Sequence, residues 1–291
     1  VTILLWLGAV LLAIVIYAFW IEPAWRLKVV RYRVAPKVWA GRAPLRIVII
    51  SDLHAGGPHV PASRVRWIVR KALKLNGDVG VLLGDYAAAH RFTVGLLSKH
   101  DIIAALTEFR LPLGTYAVLG NHDWWQDQEA AEDRRLPDAA DALAAHDFPL
   151  LENAAVPLRD GQDQFWLVGL ADQRPLSLDP EEEGFDDIET AMSDVPEDAA
   201  AILLAHEPDI FPDVPDQVGL TLSGHTHGGQ VRILWWSPAI MAAETETYSY
   251  GLYVSGDKSM IVSGGIGCSD APVRMGVPPE ITVVDVVSPD P

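Results

Sequence analysis

The distribution of apolar side chains divides the chain into three stretches. Residues 1–20 are apolar on every side, dominated by Leu, Ile, Val and Ala, with no charged side chain. Twenty helical residues rise about 30 Å, the thickness of a bilayer core, so this stretch is expected to be a membrane-spanning helix. A buried core helix would have to hide apolar residues on all its faces. A secretory signal peptide would have a shorter apolar core and a small-residue cleavage site, and no clear A-x-A follows here. Residues 22–45 turn polar and basic, and beyond them short apolar runs alternate with longer periodic segments.

The runs 47–50, 79–83, 116–119, 202–204 and 220–222 are rich in β-branched residues and read as buried strands. Between them, residues 62–75 and 94–109 return an apolar side chain every three or four positions, and 137–146 is a third helical candidate. That alternation predicts an α/β fold. Further strands over 164–170, 218–222, 260–262 and 281–286 make the last third strand-rich, which suggests two facing sheets flanked by helices. A body of about 245 residues is enough for one large domain. The expected division is a transmembrane helix at 1–21, a basic juxtamembrane linker at 22–45 and a single domain at 46–291.

Polar clusters follow these strands directly: Asp52-Leu53-His54, Gly84-Asp85, Gly120-Asn121-His122-Asp123, His206 and Gly224-His225-Thr226-His227. Ligands of open α/β folds bind beyond the carboxyl ends of strands, so these scattered elements are expected to meet in one crevice. Carboxylate, carboxamide and imidazole are hard and borderline donors, suited to Mn, Fe or Zn rather than to a thiolate-seeking ion. Two divalent ions about 3.5–4 Å apart call for a bridging carboxylate, and Asp85 is the candidate. A lone Asp-x-His is usually a turn or surface pair, and Gly-Asp is a common turn dipeptide. The ordered co-occurrence at strand ends carries the inference. Ala-His-Glu-Pro around His206 identifies nothing by itself. His59, His90, His100 and His146 lack such placement and are expected in loops or on the surface, with His59 near the rim.

This ordered set resembles the calcineurin-like metallophosphoesterase superfamily over residues 46–287, with its D-x-H, G-D, G-N-H-D/E, H and G-H-x-H pattern. Residues 224–230 together with Gly264-Gly265-Ile266-Gly267 resemble its membrane-associated bacterial branch of YkuE-like and YaeI-like phosphodiesterases. The resemblance implies a four-layer α/β/β/α sandwich. It implies that Asp52, His54 and His227 hold one metal and that Asn121, His206 and His225 hold the other, with Asp85 between them. His122 would lie over the pair, donating to a phosphoryl oxygen or protonating the leaving oxygen, and Asp123 would fix its ring. The attacking species would be a metal-bridging hydroxide. A noncatalytic membrane scaffold would be favoured by loss of a ligand, and every one is present.

Charge refines the picture. The chain carries a net −17, but residues 1–46 hold seven basic and one acidic side chain, net +6, which leaves −23 for residues 47–291. The basic flank after the helix places the long body in the cytoplasm by the positive-inside rule, hence a single-pass protein of the inner membrane. A secreted or periplasmic phosphodiesterase would need the opposite topology. The collar suits anionic lipid, and the acidic body argues against nucleic acid as substrate. Phosphorylated small molecules or lipid-linked phosphates are the expected substrates, and the resemblance to the bacterial branch implies UDP-diacylglucosamine as one example. A single cysteine, Cys268, rules out an intrachain disulfide framework. Residues 179–189 form an acidic run read as solvated. Trp124, Trp125, Trp235 and Trp236 are candidates for aromatic walls of the crevice, for contacts with a lipid surface or for core, Gly264–Gly267 for backbone near a ligand, and Arg274 for a phosphate clamp. Removing residues 1–40 is expected to free the body without harm to its chemistry, since every proposed ligand lies beyond them.

Overall fold

The computed structural model describes residues 1–88, 90–176, 183–233, 237 and 248–289. Eleven strands are defined among them: β1 (Lys28–Val34), β2 (Leu45–Ile50), β3 (Val79–Leu83), β4 (Thr115–Val118), β5 (Ala154–Leu158), β6 (Phe165–Gly169), β7 (Ala201–Leu204), β8 (Val218–Ser223), β9 (Gly251–Ser255), β10 (Lys258–Val262) and β11 (Glu280–Val286). They form two sheets, ordered β1-β11-β2-β3-β4 and β5-β6-β7-β8-β10-β9. The middle strands β2, β3 and β4 run parallel, as do β6, β7, β8 and β10, so their carboxyl ends point the same way within each sheet.

The core explains the layering. Ile47, Ile49, Val81 and Leu83 from the first sheet meet Leu167, Ile202, Leu220 and Leu222 from the second in one dry cluster. The opposite face of the first sheet, with Val48, Ile50 and Leu82, is covered by Val65 and Ile68 of the helix Ala62–Leu73, Ile102 and Leu106 of Lys99–Leu106, and Leu143 of Asp138–Ala145. The outer face of the second sheet packs Leu203 and Val168 on Ala191 and Met192 of the short helix Ile188–Met192. Helix, sheet, sheet, helix is the expected four-layer sandwich.

The expected linker at 22–45 is not a linker. Residues 28–34 form β1, paired in parallel with all seven residues of β11. Val30, Tyr32 and Val34 turn toward the body while Val29, Arg31 and Arg33 face out, a period of two hidden by the basic residues. Charged side chains on this edge also guard it against pairing with another chain. Trp39 follows, 1% exposed and packed against Phe165, the rings tilted at 57° with centroids 5.1 Å apart. The body therefore begins well before residue 46.

The first segment is helical over Thr2–Trp25 and is long and apolar enough to cross a membrane. Residues 1–16 touch little of the body. The last turns dock on it: Glu22 is 1% exposed, the Ala18 carbonyl accepts from the Arg274 N–H at 2.9 Å, and Arg64 donates to the Pro23 carbonyl at 2.6 Å.

Candidate metal centre

Every proposed ligand sits just past the end of a strand: Asp52 and His54 after β2, Asp85 after β3, Asn121 after β4, His206 after β7, and His225 and His227 after β8. Five of these seven hold a left-handed backbone, with φ of 51° at Asp52, 37° at His54, 56° at Asp85, 67° at His225 and 54° at His227. Such a conformation costs a non-glycine residue roughly 1–3 kcal/mol and persists where surrounding structure enforces it. Here the turns brace one another, with the Asp52 N–H on the Gly84 carbonyl at 3.2 Å and the His54 N–H on the Asp85 carbonyl at 3.0 Å.

Two glycines make the approach fit. A Cβ at Gly120 would stand 2.5 Å from Asp85 Oδ1 and 2.6 Å from the His206 ring. One at Gly265, which has φ +65°, would stand 2.6 Å from the Cβ of Asp52. The Gly264–Gly267 run thus approaches a neighbouring turn of the chain. The Gly267 N–H donates to the Asp52 carbonyl at 2.7 Å.

The ligand atoms converge in two buried groups, Asp52, His54, Asp85 and His227 in one and His206, Glu207 and His225 in the other. In the first, His54 Nε2 lies 3.0 Å from His227 Nε2 and 3.3 Å from Asp85 Oδ2. The same Asp85 oxygen lies 3.4 Å from His206 Nε2 in the second, where Asn121 Oδ1 is 3.0 Å from His225 Nδ1. Asp85 joins the halves.

The donor set fits cations. Among the described residues His54 Nδ1, His206 Nε2, His225 Nε2, Asn121 Nδ2 and Glu207 Oε1 are buried without a hydrogen-bond partner, which is costly unless a ligand satisfies some of them. His206 directs Nδ1 at the Leu83 carbonyl, 2.5 Å away, which leaves Nε2 for a metal. Burial, and then the charge of His206, hold the pKa of His225 well below the ordinary imidazole value. Burial does the same for His227, assisted by His54 and Arg274, so both are neutral, as ligands must be. Burial also disfavours a charged His206, yet the carboxylates of Asp85, Glu207 and Asp52 outweigh it and lift its pKa well above normal. Those carboxylates attract positive charge to the site.

His122 occupies the mouth. Its ring lies edge-on to His54 at 5.0 Å and against Trp125 at 4.9 Å, its Nε2 is 3.2 Å from Ser269 Oγ, and its N–H donates to Asp85 Oδ1 at 2.9 Å. Burial lowers its pKa, opposed by Asp85. Of the tryptophan pair, Trp125 packs on the His122 ring, whereas Trp124 is core, 2% exposed against Phe185. Trp235, Trp236 and part of the acidic run lie outside the described residues.

Asp123 and Arg274 do other work than expected. The Asp123 carboxylate accepts from the N–H groups of Asp85 (2.8 Å), Gly120 (3.1 Å) and Tyr86 (3.1 Å) and from Lys99 Nζ (3.4 Å), so it knits two ligand turns together rather than orienting the His122 ring. An acceptor three residues past Gly120 can cap the helix Asn121–Trp125, and that local geometry turns the carboxylate inward. Asp123→Ala would leave Lys99 buried and unpaired, so a loss of about 3–5 kcal/mol in unfolding free energy is expected. Unchanged denaturant stability with only slower turnover would restore the His122-orienting role.

Arg274 is fully buried. It donates to the Gly267 carbonyl at 2.7 Å, the Val277 carbonyl at 3.0 Å and His227 Nδ1 at 3.0 Å, so it positions a ligand ring and is not free to clamp phosphate. Ser269, Glu207 and Lys99 were missed. The only sequence signal for Glu207 is its place beside His206. His59, expected near the rim, is buried at 6% exposure against Trp20, its Nε2 3.1 Å from the Pro272 carbonyl.

Comparison with known proteins agrees with this geometry. The calcineurin-like phosphoesterase family model matches residues 45–229. A bovine "transmembrane protein with metallophosphoesterase domain" is 30% identical over 243 residues, covering 82% of this chain, which spans 52% of that relative. The Escherichia coli "phosphodiesterase YaeI" is 27% identical over 272 residues, covering 93% of this chain and 92% of the relative. The Chlamydia trachomatis "UDP-2,3-diacylglucosamine pyrophosphatase LpxG" is 26% identical over 298 residues, covering 86% and 85%.

Proposed function

The chain belongs to the calcineurin-like phosphoesterase family, and from that premise we propose a membrane-anchored hydrolase of phosphodiester or pyrophosphate bonds in lipid-linked substrates. The observation that carries the chemistry is Asp85, one carboxylate oxygen within 3.4 Å of an imidazole nitrogen in each of two buried donor groups. Asp52, His54 and His227 would hold one divalent ion and Asn121, His206 and His225 the other, with Asp85 shared. When bound, such ions act as Lewis acids on phosphoryl oxygen and make coordinated water more acidic.

The chain's own residues supply orientation. Arg274 and the Leu83 carbonyl fix the His227 and His206 rings, and Asp123 fixes the turns bearing Asp85 and Asn121. His122, at the mouth beside Ser269, is placed to donate to a phosphoryl or leaving oxygen. The anchor reading rests on the apolar helix and the basic flank, with the body on the cytoplasmic face of the inner membrane by the positive-inside rule. The relatives named as a transmembrane protein and as a lipid-precursor pyrophosphatase support it. A substrate held in the bilayer by acyl chains gives the anchor a purpose.

The test is turnover by purified full-length protein of defined metal content. A lipid-linked pyrophosphate and an aryl phosphodiester are expected to be hydrolysed, and a lipid phosphomonoester slowly. Hydrolysis of the monoester alone would overturn the bond assignment. His122→Ala is expected to keep its metal while turnover falls roughly 10²–10⁴-fold. If His122 protonates the leaving group, nitrophenyl esters will lose less than alkyl esters. Parallel loss of metal and rate would make it a ligand instead.

A further inference from the structure

We propose that the loop of residues 91–97 is a second membrane contact, seated in the headgroup layer beside the anchor helix, so that the mouth of the metal centre opens against the bilayer. The inference rests on the membrane-anchored reading and extends it to a surface of the body. The loop reads Arg-Phe-Thr-Val-Gly-Leu-Leu, and within five residues it leaves Phe92 54%, Val94 61% and Leu96 78% exposed. Large apolar side chains grouped so closely on a surface mark an interaction site.

Its position selects the partner. Val94 pairs with Gly57 through both backbone bonds, at 2.8 and 3.2 Å. His59, two residues on and so within about 7 Å along the chain, packs edge-on against Trp20 of the anchor helix at 5.5 Å. Arg64 ties the same turn to the helix end, donating to the carbonyls of both His59 and Pro23. If residues 1–20 cross the apolar layer, Trp20 sits at its edge, and the loop is held at that depth. The loop's single charge, Arg91, is exposed and positive, as anionic headgroups require. The mouth shares this level, because Ser269 beside His122 and Pro272 beside His59 belong to one loop whose Arg274 N–H bonds Ala18 of the helix. Segments with an apolar face and a basic flank sink about 5–10 Å into the interface.

The test needs no turnover, so it stands apart from the catalytic reading. Full-length protein carrying Cys268→Ser is spin-labelled after Leu96→Cys, Leu11→Cys or Glu197→Cys and placed in nanodiscs containing anionic lipid. Glu197 precedes β7, at the end of that strand opposite His206. The label at 96 is expected to lose accessibility to a water-soluble relaxant and to gain collision with oxygen, in the sense seen at 11 and opposite to that at 197. A label at 96 as wet as at 197, with that at 11 in lipid, overturns the loop contact alone. Protection at 96 from both reagents means cover by protein, which also overturns it. A label at 11 outside lipid overturns the anchor and the loop together.

Discussion

Asp85→Ala is expected to abolish activity and to strip more metal from the protein than any other single ligand substitution. Its Oδ2 lies 3.3 Å from His54 Nε2 and 3.4 Å from His206 Nε2, so its loss opens both halves of the site at once. Its backbone also matters: the left-handed turn at φ 56° places the Asp85 N–H on Asp123 and its carbonyl on the His54 N–H. Alanine keeps those bonds in a strained conformation, so the variant should fold while losing its ions. Asn121→Ala, which touches one half only, is expected to retain metal in the other. Elemental analysis that finds two tightly held ions in Asp85→Ala would refute the shared-ligand assignment.

Deleting residues 1–40 is expected to unfold the body, whereas deleting residues 1–16 should leave it intact. The shorter deletion removes only exposed helix. The longer one removes β1, which pairs along the whole of β11, and takes Val34 and Trp39 from the core between the sheets. Truncating one buried Trp alone costs about 3–5 kcal/mol, and a domain has only about 5–15 kcal/mol in total. It also removes the Ala18 carbonyl that holds the Arg274 segment, and Arg274 holds His227. Thermal unfolding of the two truncations separates the cases. Equal melting of the longer deletion and the full chain would show β1 to be dispensable.

Central strands were legible in the sequence because burial on both faces demands unbroken apolar runs, as in β3 and β7. The three strands not anticipated, β1, β5 and β9, are all edges, where partial exposure permits the mixed sequences that hide them. The candidate ligand set was legible for a related reason. Metal donors must be particular residue types, and the fold fixes them at strand ends. What composition and spacing could not show is which polar groups serve other side chains. Asp123 and Arg274 have the right chemistry for the reacting centre, but tertiary packing directs one at backbone N–H groups and the other at carbonyls and His227. Lys99, buried through a contact with a residue 24 positions away in the sequence, left no local trace.

The central claim is that seven side chains from five strand ends hold two divalent ions that the chemistry requires. Stripping the full-length protein with chelator and titrating it with Mn, Fe or Zn, while metal per chain and aryl phosphodiester turnover are both followed, tests it directly. The account predicts that activity vanishes on stripping and returns with binding that saturates at two ions per chain. Turnover that survives complete stripping, or saturation at one ion with full activity, would contradict it.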